Sequence, residues 1–571
     1  MNAQIQRLDT AALRVAYTVP RSLAPTDLQL DSNEGKPPSV EVMSTLAEVS
    51  AADLKSYPRA DELEGDIARG YGLPPAQVCV TAGADDGLMR ICRAYLTERR
   101  RLLLPVPTFE MIPRFAQWSD ADIVPIPWGE PRYPLDSVLA EIDEDTGVIA
   151  VVSPNNPTGG FATGDDLRRI SAAAPKAIIL VDCAYAEFAD EDLTSVALEL
   201  PNAVVLRTLS KALGLAGIRL GYAMGPEACI ERLRRFGLPY PVSSPSIALA
   251  RRALRCVAER QGFIDQVRRE RVLLQEALNA QGVAAAPSMG NYVFGRTPRA
   301  QWWCDAMAGL GIAIRSWPGD QSLGDAVRVT CPGNEHDYQR VCRAIETVGC
   351  PEAILFDLDG VLADVSRSYR QTIISTAASF GVVVTPQQIE GAKNAGNANN
   401  DWLVTQALMV EAGVVEPLET IRDRFEGIYW GDESTSGLYQ LETFLGQLNA
   451  LSQLAKRFKL GVVTGRPRRD ALMFLERFGC LWIFSAVITM EDGPAKPSPR
   501  PVQRALADLN VERAWMLGDT PDDIVAARGA GVLPIGVIPP GADPESVRSS
   551  LLRAGAATVL EQWVDIEGVL P

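Results

Sequence analysis

Short apolar runs recur along the first 225 residues and again after residue 352, each bounded by polar or glycine- and proline-bearing chain. In the first stretch they are QVCVTAG, RLLLPVP, ADIVPIP, GVIAVVSP, AIILVD and AVVLRTLS, separated by segments of helical periodicity. Apolar runs of this length alternating with helical segments predict a parallel sheet covered on both faces. From 225 to 348 the pattern is first helical (CIERLRRF, then ALARRALRCVAERQGFIDQVRRERVLLQEALNAQ) and then turns to short strands such as NYVFGR and DAVRVT. That change predicts a smaller α+β domain. A second α/β unit opens at Ala353, and its next clear buried strand is KLGVVTG, so a mostly helical insertion is expected at about 365–455. Strand signals resume in LWIFSAVIT, AWMLGD and LPIGVI. The expected organisation is therefore 1–348 and 352–571. The first part has a large domain at about 45–250 and a small one from 1–44 and 251–348, and the joint TVGCPE is too short for a flexible tether.

Charge narrows the partners. The 571 residues carry 71 acids against 55 bases, a net charge of −16. A nucleic acid or an anionic membrane requires a basic face, so neither is expected. The N-terminal MNAQIQRLDT lacks the apolar core of a signal peptide, and no later apolar run is long enough to span a bilayer. Ten cysteines without a CxxC pair suit free thiols in a reducing cytoplasm. The single histidine, His336 in GNEHDYQ, reads as a surface loop or helix-start residue. One such residue nearly excludes Ser-His-Asp triads, Cys-His pairs and most catalytic zinc sites. Catalysis is left to Lys, Asp, Tyr or a cofactor.

In TLSKALGLAGIRLGYAMG, Lys211 follows an apolar strand, with Ser210 before it and Arg219 beyond. Lysine forms Schiff bases with aldehydes, and a nearby hydroxyl and guanidinium suit a phosphate. Upstream, VTAGADDGLMRICRAYL sets a Gly-Ala-Asp turn at a helix start, whose free N–H groups make an anion site. AIILVDCAY ends a strand in Asp182, three residues before Tyr185, and SPNNPTG ends another in amide side chains. Each motif alone is ordinary turn chemistry. Together and in this order they resemble the fold-type I pyridoxal-phosphate enzymes, most closely the histidinol-phosphate aminotransferase family, over about residues 10–348.

That resemblance implies pyridoxal 5'-phosphate joined to Lys211, with Asp182 at its ring nitrogen, Asn156 and Tyr185 at its ring hydroxyl, and Phe109 stacked on its face. It implies a phosphate cradle of Ala84, Asp85, Ser210 and Arg219, completed by Tyr57 across a homodimer interface. For substrate it implies Asn33 of LDSNEG, Arg328 of AVRVT and Arg315 of IAIRSW. Arg328 would bind the carboxylate of the amino donor, expected to be glutamate, or the phosphate of a keto acceptor. The chain departs from the family's common pattern at Cys183, where glutamate is usual, and at Pro241, where asparagine is usual.

The second half opens on CPEAILFDLDGVLAD, in which an apolar strand delivers Asp357 and Asp359 to its C-terminal tip. Thr464 ends the strand of KLGVVTG, Lys496 lies in AKPSPRP, and Asp519 and Asp523 lie in WMLGDTPDD. In a parallel α/β sheet such strand tips face one crevice. Asp357 can attack phosphorus, and Asp359 can protonate the leaving oxygen and then activate water. Thr464 and Lys496 can stabilise the moving phosphoryl, while Asp357, Asp359, Asp519 and Asp523 offer oxygen ligands to Mg²⁺. This set resembles the haloacid-dehalogenase superfamily over 352–571, with a helical cap after the first motif; Lys393, Asn400 and Asp401 are candidate cap specificity residues.

The combined expectation is a fold-type I aminotransferase fused to a phosphatase of Rossmann-like fold. It would transaminate a phosphorylated 2-oxo compound and then hydrolyse the ester to an amino alcohol. Three alternatives stay open at this point: decarboxylation of a phosphorylated amino acid, a phosphatase acting on an unrelated metabolite, or one half serving as a binding or assembly module.

Overall fold

The computed structural model describes residues 16, 18–97, 100–129, 131–394 and 400–571. The chain falls into two compact units, one comprising Leu30–Ala300 and Ile314–Arg340, the other Arg21–Gln29, Gln301–Ala313 and Val341–Pro571.

In the first unit seven strands form one sheet, in the order Val78–Thr81, Gly221–Met224, Ala203–Thr208, Ile178–Asp182, Thr146–Val152, Arg101–Val106 and Asp122–Pro127. Gly221–Met224 runs antiparallel to both neighbours and the other pairings are parallel. The central strands Thr146–Val152, Ile178–Asp182 and Ala203–Thr208 are buried at every residue, because helices cover both faces. Two core clusters lie on opposite faces: alternate residues of Thr146–Val152 divide between them, Ile149 and Val151 to one, Val148 and Ala150 to the other. A four-stranded antiparallel sheet, Arg315–Ser316, Ala326–Thr330, Tyr292–Arg296 and Ala284–Ala285, carries Arg315 and Arg328 as directly opposed residues. The long helical segment expected after residue 245 is two helices, Ser244–Arg255 and Val257–Ala280, separated at Cys256.

The second unit holds a six-stranded, all-parallel sheet in the order Ala486–Ile488, Lys459–Val463, Ala353–Phe356, Ala514–Gly518, Leu533–Val537 and Thr558–Leu560. Within LWIFSAVIT only Ala486–Ile488 is strand; Leu481–Ile483 is a 3₁₀ turn. The insertion contains the helices Tyr369–Ser379, Pro386–Asn394, Asp401–Glu411 and Leu418–Trp430. It leaves and re-enters through a two-residue antiparallel pair, Ala363–Asp364 against Thr443–Phe444. The Lys393 side chain lies outside the described residues.

All ten cysteines are free. His336 is the second residue of the helix Glu335–Gly349, with its side chain 87% exposed. Among the described residues no helix is long and apolar enough to cross a membrane.

Candidate active sites

In the first unit a cavity of about 850 Å³ opens at the C-terminal ends of the parallel strands. It brings together Ala84, Asp85, Phe109, Asn156, Asp182, Tyr185, Ser210, Lys211 and Arg219, with Asn33, Arg315 and Arg328 on the substrate side. Tyr57 does not join them: it is 78% exposed and stacks on Tyr240, ring centroids 4.7 Å apart.

Asp182 is the last residue of its strand and is buried. It accepts a hydrogen bond from the Ala184 N–H at 3.0 Å. Burial pushes its carboxyl up to about 6, against the opposing pull of that N–H and of Lys211. Lys211 Nζ donates to the Ser32 carbonyl at 3.0 Å and lies 5.6 Å from the centre of the Tyr185 ring. The Tyr185 hydroxyl accepts from Asn33 Nδ2 at 3.1 Å. Asn33 has φ +54°, a left-handed conformation that asparagine tolerates better than most residues, and Thr330 Oγ1 donates to its Oδ1 at 3.0 Å.

At the opposite end, the helix Gly83–Tyr95 begins with Gly83 at φ +78°, and a Cβ there would lie 2.8 Å from Arg219 Nη2. A side chain at that φ would be strained, and the helix start and the Arg219 guanidinium, which donates to Asp85 at 3.0 Å, close on one point. Ser210 Oγ, beside them, accepts from Thr208 Oγ1 at 2.9 Å. A phosphorylated aromatic aldehyde fits these residues. Helix N–H groups, a hydroxyl and a guanidinium meet its phosphate, a lysine amine its aldehyde, and a buried carboxylate lacking full compensation a protonated ring nitrogen.

On the substrate side, Arg328 donates through Nη2 to the Asp31 carbonyl at 2.6 Å and through Nη1 to Asn156 Oδ1. Arg315 is buried, and its Nη1 has no hydrogen-bond partner. Glu110 lies 3.8 Å from Arg315 and 3.8 Å from Arg114, too far to hydrogen-bond either. Glu110 and Arg114 are cavity residues that sequence reasoning passed over, although Glu110 directly follows Phe109.

In the second unit the tips of four elements converge. Lys496 Nζ lies 2.7 Å from Asp357 Oδ1 and also meets Asp523 Oδ1. Oxygens of Asp357, Asp519 and Asp523 all lie within 4.8 Å of one another. Burial pushes Asp357 up to about 7; Lys496 opposes this and Asp523 adds to it. Three acids facing one lysine leave excess buried negative charge, which a divalent cation with oxygen preference would offset. Asp359 is not in that group, since its Oδ1 accepts from Arg466 Nε at 2.6 Å. Asp523 also caps the helix Pro521–Gly529, its Oδ2 accepting from the Thr520 N–H and hydroxyl. Thr464, beyond the strand Lys459–Val463, accepts from the Arg466 N–H at 3.2 Å.

The cavity over these groups measures about 50 Å³. Tyr369, Trp402 and Tyr429 supply aromatic walls and Asp401, Glu426 and Asp470 acidic ones, with Asn400 at the edge. Burial pushes Asp470 up to about 6, although the Tyr369 hydroxyl donates to it at 2.6 Å.

Residues 26–345 match the family described as aminotransferase class I and II, and residues 354–537 match haloacid dehalogenase-like hydrolase. An imidazoleglycerol-phosphate dehydratase of Phytophthora nicotianae is 46% identical over 222 residues, 37% of this chain and 48% of its own length. The chain thus spans about half of that relative. A histidinol-phosphate aminotransferase of Thermoanaerobacter pseudethanolicus is 30% identical over 306 residues, 52% of this chain and 86% of its own. The histidinol-phosphate aminotransferase from Sinorhizobium meliloti, solved in complex with pyridoxal-5'-phosphate, shares the fold at TM-score 0.52 and 22% identity, covering 56% of this chain and 90% of that one.

Proposed function

Because the chain belongs to the aminotransferase class I and II family and carries a haloacid dehalogenase-like hydrolase region after it, we propose that it catalyses two successive reactions on one phosphate ester. The first unit moves an amino group from glutamate to a phosphorylated 2-oxo compound. The second hydrolyses the resulting ester to an amino alcohol. The relatives, a histidinol-phosphate aminotransferase and an imidazoleglycerol-phosphate dehydratase, are both named for phosphate esters with an imidazole ring, and we assign that side chain to the substrate. The observation that carries the reading is the coexistence of two complete sets of reactive groups, one around Lys211 and one around Asp357, each in its own unit.

Pyridoxal phosphate comes with the aminotransferase family, and when bound it withdraws electrons from the substrate's α-carbon. Asp182 would hold the ring nitrogen in its protonated form. Lys211, whose Nζ donates to the Ser32 carbonyl, would hold the cofactor through its aldehyde and would carry the proton of the substrate's α-carbon. Arg328 and Arg315 take the carboxylate or phosphate of the substrates, the buried Arg315 Nη1 offering an unspent donor. Tyr57, exposed on its own chain, is assigned to the cofactor phosphate of a second copy in a homodimer.

In the second unit Asp357, Asp519 and Asp523 would hold Mg²⁺, which would neutralise part of the buried acid and phosphate charge. An oxygen of Asp357 forms a bond to phosphorus while the ester P–O bond breaks. The departing oxygen takes the proton of Asp359, and Thr464 and Lys496 donate to the phosphoryl oxygens. Water then loses a proton to Asp359 and its oxygen attacks phosphorus, which releases inorganic phosphate and restores Asp357. The acidic and aromatic walls suit an ammonium group and a flat ring. The test is separation of the activities. Lys211→Ala should lose transamination and keep phosphate release, and Asp357→Asn should do the reverse. Loss of both activities by either folded variant would refute the division.

A further inference from the structure

The substrate end of the first cavity holds a carboxylate that an anion site alone does not explain. Arg114, Arg315 and Arg328 line that end, together with the acids Glu110 and Asp320. Both transamination substrates bring anions to it: the carboxylates of glutamate and the phosphate of the keto acceptor. An acid among the arginines opposes that binding, so each acid needs a task of its own. Asp320 has one in its own loop. Its Oδ1 accepts from the Ser322 N–H at 2.8 Å, the Ser322 hydroxyl at 2.9 Å and the Leu323 N–H at 2.9 Å.

Glu110 has no such task. It directly precedes the helix Met111–Trp118, and its side chain does not cap it. Glu110 Oε1 stands 3.8 Å from Arg315 Nη2, and Oε2 stands 3.8 Å from Arg114 Nη2. A carboxylate that served to fix either guanidinium would meet it at about 2.8 Å, often through two parallel bonds. Here the arginines offset the charge while both oxygens keep their lone pairs. The side chain is 37% exposed and lines the cavity. Burial pushes its carboxyl above the ordinary range, against the pull of Arg315 and Arg114, and among the described residues no donor reaches it. Arg315 is its complement, buried and with Nη1 unpartnered. An unspent acceptor and an unspent donor stand side by side in one cavity.

Those two groups match the respect in which the two substrates differ. Both bring an anion, but only the phosphorylated compound, with the imidazole side chain assigned above, brings a ring N–H. Resting on that reading, we infer that Glu110 is a specificity-determining residue that accepts a hydrogen bond from the ring N–H of the phosphorylated substrate while Arg315 holds the phosphate. Glutamate has no N–H apart from the amino group it transfers, so it meets the arginines alone. Met111 and Pro113, in the first turn of the following helix, and Trp317 line the same cavity and give the ring apolar surface. A flat ring without an N–H would dehydrate Glu110 and leave it no donor, a cost that imidazole avoids.

The test measures binding of two phosphonates, imidazolylbutyl phosphonate and phenylbutyl phosphonate, to the full chain loaded with pyridoxal phosphate. A methylene replaces the ester oxygen in both, so neither has an ester bond to cleave or an amino group to transfer. Dissociation constants come from competition with glutamate, whose amino transfer removes the visible absorption of the cofactor in the first unit. At about pH 8 imidazole is neutral, and the unmodified protein should bind the imidazole compound roughly 10- to 100-fold more tightly than the phenyl one, as expected for a hydrogen bond to a charged group. Glu110→Gln keeps a neutral acceptor and should lower that ratio to about 3- to 10-fold. Glu110→Met keeps the chain length without an acceptor and should bring the ratio to within about 2-fold. Equal weakening of both phosphonates, with the ratio preserved, would make Glu110 only a support for the arginines. A ratio near one in the unmodified protein would leave it nothing to read; either result overturns the inference. Failure of the underlying reading looks different: neither phosphonate would compete with glutamate, whichever residue stands at position 110.

Discussion

Replacing Asp182 with asparagine is expected to stabilise the cofactor-free protein, by an amount that grows from about pH 4 to pH 6 and is complete above it. The carboxyl is buried at the end of its strand, and burial raises it from an ordinary 3.8 to about 6. Between those values the folded protein binds a proton that the unfolded chain has released, so stability falls as pH rises through this window. Two pK units correspond to about 3 kcal/mol, the cost at pH 8 of keeping the ionised group in place without a cationic partner. Asparagine carries no such cost. Thermal unfolding of the apoprotein, followed through the transition of the first unit, should show little difference between Asp182→Asn and wild type at pH 4. At pH 8 the variant should unfold higher by roughly 6 °C, taking roughly 2 °C per kcal/mol. The same substitution should weaken retention of pyridoxal phosphate, because the ring nitrogen loses its counter-charge. A stability difference that is flat from pH 4 to pH 8 would refute the account of Asp182 as a carboxylate held in readiness for a cation.

Removal of divalent cations with a chelator should abolish phosphate release and leave transamination unchanged, with Mg²⁺ restoring it; chelator-resistant release would remove the assigned role of Asp519 and Asp523. Asp357→Asn should lower phosphate release by roughly 10³-fold or more in a steady-state phosphate assay, because it deletes the attacking oxyanion. Lys211→Ala should lose the visible absorption of the bound cofactor and all transamination, measured with glutamate as donor. A dephosphorylated ketone should be a poorer amino acceptor by roughly 30- to several-thousand-fold in kcat/KM, since an arginine left unpaired in the cavity costs about 2–5 kcal/mol.

The reactive residues were legible because a parallel sheet sends every strand tip to the same edge. Asp182, Lys211, Asp357, Thr464 and Asp519 each follow an apolar run, and each lies at or just beyond a strand end. The partners that tune them were not legible, because they come from distant sequence. Nothing in TGRPRRD indicates that Arg466 will be buried between Asp359 and Glu442, since no local pattern marks a side chain that turns inward against two acids. Glu110 is flanked by a motif but nears Arg315 only once the small sheet brings that arginine close. The antiparallel strand Gly221–Met224 was hidden by its leading glycine and its four-residue length, and the break at Cys256 by helix-forming residues on both sides. Tyr57 carries no signal within its own chain, since its assigned role needs a second copy.

The order of the two reactions is tested most directly by phosphate release from a matched pair, the phosphorylated ketone and the phosphorylated amine derived from it, using Lys211→Ala protein so that the two cannot interconvert. The acidic walls formed by Asp401, Glu426 and Asp470 should favour the ammonium form. The account predicts that the amine is hydrolysed with at least about tenfold higher kcat/KM, equivalent to about 1.4 kcal/mol of discrimination. Equal rates, or faster release from the ketone, would contradict transamination before hydrolysis.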